Sequence, residues 1–484
     1  MIPAPLQTAG LLALAMLGMS ADAALAQADG LPCADCLTVR VGPPVVVRGP
    51  FPDELDATFT ALKLPDGTFR GFSANGATYA IDGASLLELG GERREVLQVG
   101  APGSVNDCGR WLTSLTRAGD SLLGFVHQER DCDYDQGRTE KSMAIASSTD
   151  EGLTWTDLGT VITGTDLAKT DGVTGEGDCS MVDGFDGYLY AYCLRNSDWQ
   201  TIVARAAVEA PTDWHKYYEG GWSEPGLGGE ASDIGFIGTG AGYLEGPGWV
   251  AAVATDPWFG GLRLSLSQDK VTFVDLDEPL LTIDGADWDR PADSDLVAYA
   301  GIVNPDNGSN VVGARFLLSY VFVPKGKGFE SRYLVFQDVS LALEESPVPV
   351  QVGMALTRWV ESQRKLYVTS TGPLTDDRAG YRNDAVVAYA LTRAPEGVAS
   401  VKLAECSSDW PGHLDQLLAE DGTCGAVGYA QDRSAGWLFA ERQPGTVPVH
   451  RCVNEAAQTH FASNAADCEG LGTAEFVLGY GLAP

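Results

Sequence analysis

The stretch that decides the fold is Ser148-Thr149-Asp150-Glu151-Gly152-Leu153-Thr154-Trp155. An apolar run, Met143 to Ala146, leads into it. Ser, Asp and Gly then make a tight turn, and a tryptophan closes it. The same order of strand, turn and aromatic returns at Trp214, after Thr201-Ile202-Val203-Ala204-Arg205. It returns again at Phe273, after Leu262 to Leu266 and Ser267-Gln268-Asp269. Trp155, Trp214 and Phe273 follow one another at a period of 59 residues. A fixed period of that size in an all-β pattern marks a radial repeat, each unit burying its face against its neighbours. The expected fold is therefore a β-propeller.

Outward from that repeat, short strands alternate with Gly/Asp/Asn turns from about residue 55 to 395, and no long amphipathic helix interrupts them. Hairpins are read at 59–75, 109–128, 179–193, 233–255, 295–323 and 351–370. Six hairpins predict six blades of four strands, or five if the first and last combine to close the ring. A second repeat follows residue 400: His413-Leu414, Cys424 and Gly436-Trp437-Leu438, then His460-Phe461, Cys468 and Gly479-Tyr480-Gly481-Leu482. Residues 400–484 read as a small, disulfide-stapled accessory domain, and residues 27–54 as an N-terminal tether.

The chain has 484 residues, enough for a large core. Its first 26 read as a signal peptide: Ala9 to Met19 form the apolar segment and Ala24-Leu25-Ala26 the cleavage site, although no Lys or Arg precedes them. The expected location is secreted or periplasmic. Ten cysteines suit an oxidising compartment. Cys108 with Cys132, and Cys179 with Cys193, flank single turns symmetrically and are placed to bridge across strands. Cys406–Cys424 and Cys452–Cys468 pair by proximity, and Cys33 and Cys36 pair locally or elsewhere. A net charge of −34 opposes nucleic acid and anionic membranes as partners. A monomer with a carbohydrate partner is expected.

The chemistry is sought at the starts of the hairpins. Asn106-Asp107-Cys108, Gly177-Asp178-Cys179, Ser232-Asp233-Ile234 and Ser294-Asp295-Leu296 each place an aspartate there. First strands line a propeller axis, so Asp107, Asp178, Asp233 and Asp295 are expected to form a partial ring. Crowded carboxylates push their pKa values apart, as glycoside hydrolysis requires of its acid and its base or nucleophile. The alternative is that these aspartates bond to backbone N–H groups or hold a structural cation such as calcium; no cofactor is expected. In Phe125-Val126-His127-Gln128-Glu129, His127 and Glu129 share a strand face. Glu129 is the expected general acid and His127 a sugar-binding residue. Trp258, in Asp256-Pro257-Trp258-Phe259-Gly260, is a stacking candidate. No P-loop, dinucleotide fingerprint, G-x-S-x-G or H-E-x-x-H motif is present.

The box at 148–155 resembles the Asp box of sialidases. The acidic motif Glu176-Gly177-Asp178-Cys179-Ser180, followed by the hairpin at Gly187-Tyr188-Leu189-Tyr190, resembles the five-bladed glycosidases that act on arabinans and xylans. That resemblance implies Asp107 as base, Asp178 as pKa modulator and an acid from a later blade, for which Asp233 and Glu230 stand by position. A sialidase would need an arginine cluster, for which Arg110, Arg205, Arg290 and Arg382 are available, but F-R-I-P is absent. Val447-Pro448-Val449-His450-Arg451, Thr459-His460-Phe461 and Leu478-Gly479-Tyr480 resemble a repeat domain of unknown function at the ends of secreted hydrolases. The reading is a secreted glycoside hydrolase on a neutral glycan. A non-catalytic lectin or adhesin and a sialidase-like hydrolase are its rivals. A polysaccharide lyase is opposed by the acidic ring.

Overall fold

A computed structural model describes residues 37–484 apart from 167–168, 170–171, 256–258, 286–293, 344–345, 376–377, 379 and 409–414. The signal segment, Cys33, Cys36, Trp258 and His413 lie outside the described residues.

Four antiparallel meanders follow one another along the chain, at Thr60–Leu97, Gly109–Thr163, Val173–Pro225 and Gly240–Thr282. A fifth combines Leu296–Val303, Arg315–Val323 and Tyr333–Ala342 with strands from the other end of the chain, Thr38–Val41 and Val45–Arg48. The first strands of the five sheets lie side by side in order, and Leu296–Val303 packs back onto Thr60–Lys63, closing the ring. This is a β-propeller, and we number its blades I to V in chain order. The stretch read as a tether thus contributes two strands to blade V.

The period of 59 has a physical cause. Trp155 of blade II packs edge-on against Phe72 of blade I, with ring centroids 6.2 Å apart. Trp214 of blade III packs on Phe125 of blade II at 5.2 Å, and Phe273 of blade IV on Tyr192 of blade III at 5.6 Å. Phe72, Phe125 and Tyr192 all lie on the second strand of their blade. Each repeat aromatic therefore wedges its own blade onto the one before it, and such aromatic pairs contribute about 0.5–1.5 kcal/mol beyond area burial. The turn before Trp155 bonds to itself: Asp150 accepts from Ser148 Oγ and from the N–H groups of Leu153 and Thr154, and Trp155 Nε1 donates to Gly152 O.

The sixth expected hairpin is no blade. Val352–Glu361 pairs with both Leu366–Ser370 and Tyr381–Leu391, and the same strand–hairpin–strand unit recurs twice. Ser400–Ser408 pairs with Gln416–Glu420 and Tyr429–Phe439, and Thr446–Asn454 with Thr459–Ser463 and Thr473–Leu482. Irregularities in register flank the same position in each unit: Arg358, Glu405 and Arg451. The C-terminal unit is thus a threefold repeat beginning near residue 352, its third strands joined through Leu391–Trp437, Phe439–Tyr480 and Tyr389–Leu482. Disulfides Cys406–Cys424 and Cys452–Cys468 staple the second and third units, while Cys108–Cys132 and Cys179–Cys193 staple blades II and III. Strand Thr38–Val41 also runs parallel to Val352–Glu361, so blade V and the C-terminal unit share one sheet.

Candidate functional site

Blade III starts by adhering to blade II: Val173, Thr174 and Gly175 pair in parallel with Thr139, Glu140 and Lys141. That register brings Asp178 to Lys141. Asp178 sits at an irregularity between Gly177 and Ser180 with φ of 52°, a left-handed conformation that costs a non-glycine residue energy and redirects its side chain. Lys141 Nζ lies 2.6 Å from Asp178 Oδ2 and 3.8 Å from Glu129 Oε1, its cross-strand partner.

His127, buried behind this pair, fixes its geometry. The backbone N–H of Asp178 donates to His127 Nδ1 at 2.9 Å, so the ring carries its proton on Nε2, which lies 3.1 Å from Glu129 Oε1 and donates to it. Gly177 permits this closeness, because a Cβ there would stand 2.6 Å from His127 Cε1. Glu129 Oε2 accepts from the Tyr134 hydroxyl at 2.6 Å and from Thr139 Oγ1 at 3.2 Å.

A further carboxylate, Asp56, enters ahead of blade I, its N–H bonded to Ala74 O. Its Oδ1 lies 2.8 Å from Arg332 Nη1 of blade V, and it hydrogen-bonds the Tyr299 hydroxyl. Tyr299 has φ of 50° and sits between the register positions Ala298 and Gly301, the same device that turns Asp178. The charges of Asp56, Glu129 and Asp178 act on one another, so blades I, II, III and V all contribute to one cluster at the axis.

The cluster separates its carboxylates. Burial outweighs Arg332 and Tyr299 at Asp56 and, with the neighbouring carboxylates, holds its pKa above the usual range. Burial also penalises the Asp178 carboxylate, but the Lys141 ammonium beside it overcomes that penalty and pulls the pKa down. At Glu129 the same burial is overcome by the His127 hydrogen bond, Lys141 and Tyr134, and the pKa falls to about 2. Lys141 is driven the other way: burial disfavours its charge, but Asp178 and Glu129 raise its pKa.

Of the four aspartates read as a ring, Asp178 joins the cluster; the other three have different partners. Asp107 turns back into its own loop, where Oδ2 accepts from the Gly103 N–H at 2.8 Å. Asp233 is exposed and its backbone bridges Ile202. Asp295 is buried and faces the C-terminal unit, held by the Lys325 N–H and by Arg433 at 3.2 Å. The common sequence offset hides three different local paths into the first strand. Arg110 pairs with Asp157 of its own blade at 3.2 Å. Glu129 and His127 do meet Asp178, as their shared strand face implies, and the His127 hydrogen bond, the Lys141 charge and the Tyr134 hydroxyl favour the ionised form of Glu129 over the donor form expected of it.

Asp56, Lys141, Tyr299 and Arg332 were missed. Asp56 had a signal: it stands three residues before the hairpin read at 59, close to the offset of Asp107 from the one at 109. Tyr299 and Arg332 had no local signature, because blade closure brings them to the axis, while Lys141 follows from its register opposite Glu129 within blade II.

No known protein family matches the chain, and no curated protein matches it. Among solved structures it is similar to an α-L-arabinofuranosidase from Lactobacillus brevis, at 11% identity over 60% of this chain and 92% of that one, with a TM-score of 0.40. A family 117 glycoside hydrolase from Zobellia galactanivorans gives 11% identity, 64% and 91% coverage, and a TM-score of 0.40. A GH43 β-1,3-galactosidase with galactodeoxynojirimycin gives 12%, 58% and 90%, and 0.38. Likeness this distant carries none of the argument below.

Proposed function

We propose that this chain is an exported glycoside hydrolase that cleaves a neutral poly- or oligosaccharide with the axial carboxylates. The observation that carries the reading is the opposite displacement of Asp56 and Asp178 within one cluster. Titratable groups pushed apart in this way divide into a proton donor and an ionised partner. Asp56 takes the first role, giving its proton to the glycosidic oxygen as the bond to the leaving sugar breaks. Asp178 takes the second, activating water or stabilising the positive charge that develops on the sugar ring. Glu129 then acts through others: it orients His127 and Lys141, which position Asp178. Tyr134, exposed above Glu129, offers a ring for sugar contact.

A neutral substrate is favoured because the axis already holds three carboxylates and the chain carries −34. Four disulfides support an oxidising compartment. We assign residues 352–484 to an accessory unit. One observation favours a second reading, a non-catalytic sugar-binding propeller: Lys141 already neutralises Asp178 at 2.6 Å.

The substrate class is tested by incubating the protein with neutral and uronic-acid polysaccharides and counting reducing ends. Release from neutral glycans supports the hydrolase. Release confined to uronic-acid polymers overturns the neutral assignment, and binding without release supports the lectin.

A further inference from the structure

In two units of the C-terminal repeat an arginine at the register irregularity of the first strand pairs with the carboxylate left out of register on the third. Arg358 meets Asp384 at 2.6 Å and Arg451 meets Glu475 at 2.7 Å. In the middle unit buried Glu405 takes the arginine position while Asp432 keeps the acidic one, and Arg433, the register partner of Glu405, stands 3.8 Å from it. Arg433 also reaches out of its unit to Asp295, which stands at the start of the first strand of blade V. Between blades IV and V and this middle unit lies a cavity of about 270 Å³.

We propose that this cavity is a second binding site, separate from the axial cluster, for a neutral saccharide of one or two rings. Its volume lies just below the range for small-molecule sites, about 300–1,000 Å³. Its floor is apolar, with Ile283, Phe322 and Met354. Its wall carries Ser294, which is 6% exposed and whose hydroxyl has no hydrogen-bond partner among the described residues. A buried hydroxyl without a partner costs about 1–3 kcal/mol, which a ligand hydroxyl would recover.

The charges in the wall are already balanced. Asp295 is paired with Arg433, Asp284 with Lys402, and Asp432, which accepts from Ser407 Oγ, lies in the field of Arg433, Arg378 and Lys325. A charged ligand would break that balance in a partly desolvated space. A polyol adds no charge, and its hydroxyls both donate and accept, matching carboxylates beside serine and threonine hydroxyls. The connection from Pro324 to Arg332 carries Lys325 to this cavity and Arg332 to Asp56, so one loop borders both sites.

The test uses the full chain as wild type, Asp178→Asn, Ser434→Trp and Lys325→Met. Binding of D-glucose, D-galactose, D-xylose and L-arabinose is measured by saturation-transfer NMR and calorimetry, with D-glucuronate as the charged counterpart. Millimolar binding of at least one neutral sugar is expected, retained in Asp178→Asn and weakened about tenfold or more by Ser434→Trp, which fills the cavity. Lys325→Met, at the rim, keeps the fold if the tryptophan does not and weakens binding several-fold. Unchanged binding in both cavity variants overturns the proposal, as does absence of neutral-sugar binding or a preference for glucuronate. Because Asp178→Asn retains the cavity, loss of hydrolysis in that variant leaves this result intact, and the two assignments fail separately.

Discussion

Replacing Lys141 by methionine removes the one ammonium between Asp178 and Glu129 while keeping a chain of similar length. At an effective dielectric constant of about 20, a charge pair at 2.6 Å attracts by roughly 6 kcal/mol before desolvation is counted. The net cost of stripping one partner from a buried pair is smaller, about 3–5 kcal/mol, because removing the ammonium also relieves its own desolvation; what remains of the cost is the carboxylates left buried and uncompensated. Lys141 and Asp178 are 15% and 18% exposed in their side chains, so solvent screens the pair only in part, and the lower end of that range applies.

The loss depends on pH, with a definite sign. In the wild type the folded pKa of Asp178 lies below its unfolded value, so its stabilisation is present above the unfolded value and is lost as pH falls through the lowered one. Without Lys141, burial and the neighbouring carboxylates push that pKa upward, and protonation relieves the variant as the medium is acidified. Urea unfolding of both proteins should therefore give a difference of about 3 kcal/mol near pH 7 that shrinks toward about pH 4. A difference below about 1 kcal/mol near pH 7, or one that stays flat across that range, refutes the electrostatic account of the site.

Three other outcomes are expected. Gly177→Ala places a methyl 2.6 Å from the His127 ring, so it should break the Asp178 N–H to His127 bond and lower activity more than stability; activity matching the wild type would contradict the packing argument. Trp155→Ala removes the wedge between blades I and II and should cost about 3 kcal/mol in urea unfolding while leaving any hydrolysis by the remaining folded protein intact. A loss under about 1 kcal/mol would show that the 59-residue period does not report blade packing. In a profile of hydrolysis against pH, activity should fall on the alkaline side as Asp56 deprotonates above the usual carboxylate range, and a profile with no alkaline fall would remove Asp56 as donor.

The propeller was legible because its repeat is local. Serine, aspartate and glycine fix a turn, an aromatic follows at fixed distance, and neither needs knowledge of the rest of the chain. The blade count was less legible, since the strands that complete blade V come from residues 38–48 and a hairpin pattern at 351–370 looks alike in a blade and in the C-terminal repeat. The first unit of that repeat was hidden for a simple reason: it lacks the cysteine pair that marks the other two. At the site, Asp178, His127 and Glu129 could be read because one strand face and one motif hold them. Tyr299 and Arg332 could not, because each becomes part of the site only when blades separated by many residues meet at the axis, and Lys141 is placed by the register that sets it opposite Glu129 within blade II. The expected ring failed at Asp107, Asp233 and Asp295 because a common offset from a strand says nothing about which way a bulged backbone turns.

The central claim is that Asp56 and Asp178 together form a hydrolytic centre. Its most direct test is reducing-end release from the preferred glycan by wild type, Asp56→Asn and Asp178→Asn at equal folded concentration. The account predicts release by the wild type and a loss of at least about a hundredfold in each variant, the lower range for a positioned acid or base. Wild-type rates in both variants, with folded protein confirmed, would contradict it and leave the axial charges a structural role.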